Sequence, residues 1–245
     1  MNTGDLPTYK IYDGSEGEMY NASPSESLAW SVNGFNTIEY LDGFSSVSLS
    51  IDLHEGANLV SFYALPEDSD IQSFTSSIQN SIFGVIGEGI AAAYFADSWI
   101  GSLISINEYD GYWFIMENQD VLSIEGYPTD LDLEYNLHAG ANLISFPSEN
   151  SYAIEDVIPE VLQGTIYGIL GEGQGAVYNN GEWEGSLENL SGGSGYWFKT
   201  YNDVVLTLEL DNLLSRNFEN KQKQILLGYE YNQSSQQSFY FVEQI

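Results

Sequence analysis

The chain has 245 residues with 36 Asp or Glu against 5 Lys or Arg, a formal charge of −31, and it holds no cysteine. That balance argues against nucleic acid and anionic membrane as partners, since both are bound through basic side chains, and the missing thiols exclude disulfides, thiolate metal sites and cysteine nucleophiles. With 18 Tyr, 12 Phe and 5 Trp the chain is no disordered acidic tail, and its length suits two small domains.

Residues 1–45 hold two strand candidates, 8–12 and 27–31, joined by the turn-rich DGSEG at 13–17. From Leu49 the apolar residues Leu49, Ile51 and Leu53 alternate up to a glycine turn at Gly56, and LVSF at 59–62 follows as a buried strand. Asp70, Ile71, Phe74, Ile78 and Ile82 space a weak helix, and Gly-punctuated aromatic strands lead to the run GYWF at 111–114. Then the chain repeats. LHEGANLVSF, from Leu53, returns as LHAGANLISF, from Leu137, a shift of 137 − 53 = 84 residues. The same shift carries GVIGEG (84–89) onto GILGEG (168–173), Tyr94 onto Tyr178, Trp99 onto Trp183 and GYWF (111–114) onto GYWF (195–198). In the second copy Tyr152, Ile154, Val157, Ile158, Val161 and Leu162 predict the helix more firmly, with Gly164 as its stop. The expected fold is mainly β, at the margin of α+β: two tandem small sandwich-like modules, 46–126 and 127–210, each with one short helix. A polar linker, 211–224, carries Arg216, Lys221 and Lys223. Residues 225–245 read as the first strand of a following module, one that pairs with the segment around 9–20 in the same chain or exchanges into a neighbouring one.

The block GANLISFP (140–147), a helix, and then GSGYWF (193–198) resemble a module of secreted, multidomain surface proteins of marine and gliding bacteria, written GWNLISFP…GxGYWV. Ala57 and Ala141 stand where that pattern has Trp, so any role of that tryptophan does not carry over. GDLPTYKIYD (4–13) is similar to the end, and YNQSSQQSFYF (231–241) to the beginning, of a neighbouring module of the same proteins. The resemblance implies an extracellular or cell-surface location and a longer precursor whose signal lies outside this chain, and makes 1–45 the C-terminal part of a neighbouring module. The acidic surface suits saline surroundings, where charge repulsion is screened.

Four groups of residues are candidates for chemistry. Trp99 and Trp183, with Tyr94 and Tyr178, sit beside turns and are expected partly exposed, where they could stack on polysaccharide; Trp113 and Trp197 are expected in the core. Calcium is the metal this surface favours, with Asp13, Glu16 and Glu18 as candidate ligands and the pairs Asp68–Asp70 and Asp130–Asp132 behind them; no other cofactor is expected. The Gly-Glu-Gly runs lack the lysine of a phosphate loop and read as strand bends. His54 and His138 read as turn residues covering a neighbouring ring, since two lone histidines make a poor zinc site. No nucleophile elbow occurs, and no catalytic residue is assigned. No run of residues is long and apolar enough to cross a bilayer. The expected function is a non-catalytic repeat fragment at the cell surface, a spacer or adhesion module. A carbohydrate-binding module of a larger secreted protein is the alternative, and a hydrolase built on two of the many carboxylates is the third.

Overall fold

The structure, a computed structural model, describes residues 3–14, 17–26, 28–44, 46–210 and 239–244; for Glu18, Ser23, Asp42, Phe44 and 239–244 it describes the backbone alone. The chain forms two compact units, Met1–Ser45 with Lys221–Ile245, and Ser46–Asn220. The first holds strands β1 (Tyr9–Asp13), β2 (Glu18–Pro24) and β3 (Phe35–Phe44) in an antiparallel meander. Residues 28–31 lie outside any strand. The C-terminal strand, the last of the molecule (Phe239–Gln244), runs parallel to β3 with Phe239 opposite Phe35, on the edge of the sheet farthest from β1. Its neighbour is therefore 35–40, not the segment around 9–20. Residues 229–238 of the expected strand lie outside the described residues.

Both repeats lie in the second unit, and each is built the same way. In the first, β4 (Val47–Leu53) is followed by β5 (Gly56–Val60), β6 (Ala64–Leu65), a single turn α1 (Ile71–Phe74), β7 (Ile82–Ile86), β8 (Ala91–Phe95), β9 (Ser98–Gly101), β10 (Tyr112–Met116) and β11 (Asp120–Pro128). In the second, β12 (Glu134–Leu137), β13 (Gly140–Ile144), β14 (Ser151–Ala153), α2 (Ile154–Val157), β15 (Ile166–Gly171), β16 (Gln174–Asn179), β17 (Glu182–Gly185), β18 (Asn189–Ser191), β19 (Tyr196–Thr200) and β20 (Val204–Thr207) follow in turn. A five-stranded antiparallel sheet forms in each repeat, ordered β5-β10-β7-β8-β9 and β13-β19-β15-β16-β17. Against its inner face lies a smaller sheet, β4-β11-β6 or β12-β20. Among the described residues no helix is long and apolar enough to cross a membrane.

The two repeats fill separate cores. Leu49, Leu53 and Leu122 from the small sheet meet Val85, Tyr112 and Phe114 from the large one in the first repeat. Tyr135, Leu137 and Leu206 meet Ile169, Tyr196 and Phe198 in the second. Both helices shrink to one turn. The predicted helix of the second repeat breaks at Pro159, which has no N–H to donate and opens a 3-10 turn over Glu160–Leu162; the first gives way to a 3-10 turn at Ser76–Ile78 within its Ser/Thr-rich stretch. The alternation of GYWF also resolves differently from expectation. Tyr112, Phe114, Tyr196 and Phe198 are the buried face, whereas Trp113 and Trp197 point to the other side and stay half-buried. The tyrosines can go inside because their hydroxyls are satisfied there: Tyr112 Oη accepts from Asn107 N at 3.0 Å and Tyr196 Oη from Ser191 N at 2.8 Å. Burial pushes both phenols above their ordinary range.

Candidate functional site

The repeated motif H-x-G-A-N-L builds a dense set of hydrogen bonds, and builds it twice. Asn58 and Asn142, both buried, lock the turn from one strand to the next. Asn58 Oδ1 accepts from His54 N at 2.8 Å while its Nδ2 donates to His54 O at 2.8 Å; Asn142 does the same for His138 at the same distances. Gly56 and Gly140 make the turn possible with φ of +101° and +119°. The turn then pushes each imidazole outward, toward the other repeat.

There it meets a glutamate of the Gly-Glu-Gly loop. His54 Nε2 lies 2.6 Å from Glu172 Oε1, and His138 Nε2 lies 2.6 Å from Glu88 Oε1. The second oxygen of each carboxylate accepts a backbone N–H of the same partner repeat, Glu172 from Leu59 N at 2.8 Å and Glu88 from Leu143 N at 2.7 Å. The clasp is reciprocal, as at an interface with a two-fold axis. Around it the backbones also join. Ser61 N donates to Gly193 O and Gly195 N to Leu59 O; in mirror, Ser145 N donates to Tyr109 O and Gly111 N to Leu143 O. The outer edges of β5 and β13 are thus covered by the loop before β19 or β10. Leu59 and Leu143, 4% and 1% exposed, belong to neither core and are buried at this junction.

Each histidine ring has an acceptor at both nitrogens, because Nδ1 lies 2.7 Å from Glu55 O in one copy and 2.9 Å from Ala139 O in the other. Only the doubly protonated imidazolium satisfies both. The Glu172 carboxylate, then the Glu55 carbonyl, raises the His54 pKa; for His138 the Ala139 carbonyl leads and Glu88 follows. In that charged form the ring has no lone pair to offer as base or metal ligand. Both groups bind the proton more tightly in the folded chain than at the ordinary 6.5. Their contribution is therefore complete below that value and fades as the pH rises through the raised folded value. Thermal unfolding is expected to show a midpoint that falls as the pH is raised above about 6.5, by a modest amount since both rings are largely exposed. The double substitution His54→Gln, His138→Gln should flatten that slope; an unchanged slope would remove the clasp as its cause.

The tryptophan candidates occupy a second repeated place. Trp99 pairs with Tyr94 across the β8–β9 hairpin, centroids 5.4 Å apart at 50°, and Trp183 with Tyr178 across β16–β17, 5.3 Å apart at 60°. Both indoles are half-buried against the core of their own repeat, and their Nε1 atoms are enclosed without a hydrogen-bond partner. Each lines a groove beside the single helical turn, about 270 Å³ in the first repeat, with Asp70 and Gln72, and about 350 Å³ in the second, with Glu155 and Glu188. The four rings form two tilted pairs, one per repeat, and not a common plane.

The acidic candidates are spread out. Asp13 faces Glu18 across the β1–β2 register, while Glu16 and the side chain of Glu18 lie outside the described residues. Asp68 accepts from Asp70 N and Asp70 caps α1 through Gln72 N; the Ser73 hydroxyl and the Asp70 N–H together hold the Asp68 carboxyl below its ordinary range. Asp130 and Asp132 are exposed. Among the described residues no three His, Asp or Glu side chains are grouped closely enough to hold a metal ion.

Sequence reasoning separated residues that the fold unites. The histidines bond to glutamates of the opposite copy, and the Gly-Glu-Gly loops are bends whose glutamate is the other half of the clasp. The signal available was that His and Glu are retained together at the same 84-residue shift. Comparison with known proteins finds no matching family model, no matching curated protein and no matching solved structure.

Proposed function

We propose that this chain is a non-catalytic structural module of a secreted or cell-surface protein, a spacer or adhesive element of the kind the marine surface-protein resemblance implies. The observation that carries the reading is the reciprocal clasp: the recurring His54 and His138, Glu88 and Glu172, and Ser61 and Ser145 bond one repeat to the other, and the recurring Asn58 and Asn142 lock the turns that present the histidines. A catalytic reading would need some of them free to meet a substrate. Two copies joined through both backbone and side chains form a stiff coupling element, which is what a spacer requires.

The alternative reading, a carbohydrate-binding module, draws on the twin grooves lined by Trp99 and Trp183. Tryptophan fluorescence during titration with a panel of neutral and anionic polysaccharides, with and without calcium, separates the two. An emission spectrum unchanged across the panel is expected for the structural module. A saturable shift that disappears in Trp99→Ala and Trp183→Ala would replace it with the sugar-binding one.

A further inference from the structure

The outer faces of the two large sheets differ, although the copies share a fold. In register, Trp113 stands opposite Ile86, Ile115 opposite Gly84, Gly84 opposite Ala93 and Ala93 opposite Ile100, so these residues share the face turned away from the core. Phe95, two residues beyond Ala93, lies on the same side, and Phe83 is the extra residue at the irregularity between β7 and β10. Phe83, Ile86, Phe95 and Ile100 are 52%, 45%, 72% and 64% exposed. A contiguous apolar face of this kind marks a contact surface.

The second repeat shows what belongs on it. Shifted by 84, Phe83 becomes Tyr167, Ile115 becomes Lys199 and Glu117 becomes Tyr201. Tyr167 stacks on Tyr201 at 4.2 Å and 23°, and Lys199 Nζ sits 5.8 Å from the Tyr167 centroid. The chain places its own second ring and cation on the Tyr167 ring. Phe95 and Ile100 become Asn179 and Glu184, which leaves Leu170 and Val177, 42% and 50% exposed, as the apolar residues beside them. The first repeat has the ring to be covered but neither the cation nor the second ring, and it places the exposed carboxylate Glu117 where Tyr201 stands. Exposed Asp97 lies at the tip of its β8–β9 hairpin. Lys199 is the only Lys or Arg from residue 46 to residue 210.

We propose that this face of the first repeat docks a polypeptide segment that presents Lys or Arg next to an aromatic side chain. The cation settles between the Phe83 ring and the Glu117 carboxylate, and the aromatic ring covers Ile86, Phe95 and Ile100. A second copy of this chain is disfavoured, because it brings its own charge of −31 against an acidic rim. The proposal goes beyond the structural reading and stands whether or not the grooves take sugar.

The test is calorimetric titration of the full chain with three synthetic peptides: an octapeptide of alternating Lys and Phe, tetralysine, and an octapeptide of alternating Glu and Phe. Saturable binding is expected for the Lys–Phe peptide alone. Phe95→Asn and Ile100→Glu, which install the residues of the second repeat at exposed positions, should together weaken it about tenfold or more. Val177→Glu, on the second repeat, should leave it unchanged. An unfolding midpoint equal to that of the parent establishes that the variants are folded. Equal binding of tetralysine, affinity indifferent to Phe95→Asn and Ile100→Glu, or no binding of the Lys–Phe peptide would each overturn the proposal. So would a dimer, or saturable binding of a neutral polysaccharide, abolished by those same substitutions.

Discussion

Phe62→Ala is expected to cost about 3–5 kcal/mol of stability, the range for emptying a fully buried aromatic site. Phe62 has no exposed surface and is the hub of the first core, with its ring centroid 4.7 Å from Phe74, 5.8 Å from Phe114 and 6.3 Å from Tyr112. Those neighbours come from α1 and from β10, so collapse around the void would have to move a helical turn and a central strand together. Tight packing prevents that and leaves a cavity. Urea unfolding followed by tyrosine and tryptophan emission would measure it. A loss below about 1 kcal/mol would mean that the core relaxes freely and is not close-packed as described.

Gly111→Val combined with Gly195→Val should separate the repeats without emptying either core. A Cβ at Gly111 would lie 2.8 Å from Ile144 O, and one at Gly195 would lie 2.7 Å from Val60 O, in each case backbone of the opposite repeat. Neither contact can be relieved by turning a side chain. Each valine costs about 1–3 kcal/mol as overpacking, and each also pulls apart the bond from Gly111 N to Leu143 O or from Gly195 N to Leu59 O. The parent is expected to unfold its 46–210 unit in one transition, since the clasps make each repeat depend on the other. In the double variant that transition should resolve into two, because the apolar clusters are distinct. Calorimetry reads this directly. A single transition at the parent's midpoint would show that the junction carries no coupling.

The β class and the strand runs of both copies were legible because their signals are local: alternation at Leu49, Ile51 and Leu53, and glycine turns at Gly56 and Gly140. The helices were overread because apolar spacing was weighed above Pro159 and above a serine- and threonine-rich interior. Trp113 was expected inward, on one of the two faces of an alternating strand. Its neighbours Tyr112 and Phe114 won the core because the Tyr112 hydroxyl finds Asn107 N inside, and alternation then sends Trp113 out. The clasp was hidden for a different reason. His54 and Glu172 are 118 residues apart, and no local pattern reports that two distant loops meet. The same limit applies to the outer face of the first repeat, where comparing the copies position by position, Phe83 with Tyr167 and Ile115 with Lys199, carries the information.

The crossed arrangement of His54 with Glu172 and His138 with Glu88 also sets a rule of parity. One copy alone would have a strand edge at β5 with nothing beside it and a histidine and a glutamate turned toward absent partners. It would find them only in another molecule, as domain-swapped proteins do. A chain that lengthens or shortens by a single copy would therefore leave one such edge without its partner. Within the 46–210 unit the duplication visible in the sequence is thus the smallest step that gives both β5 and β13 a neighbour.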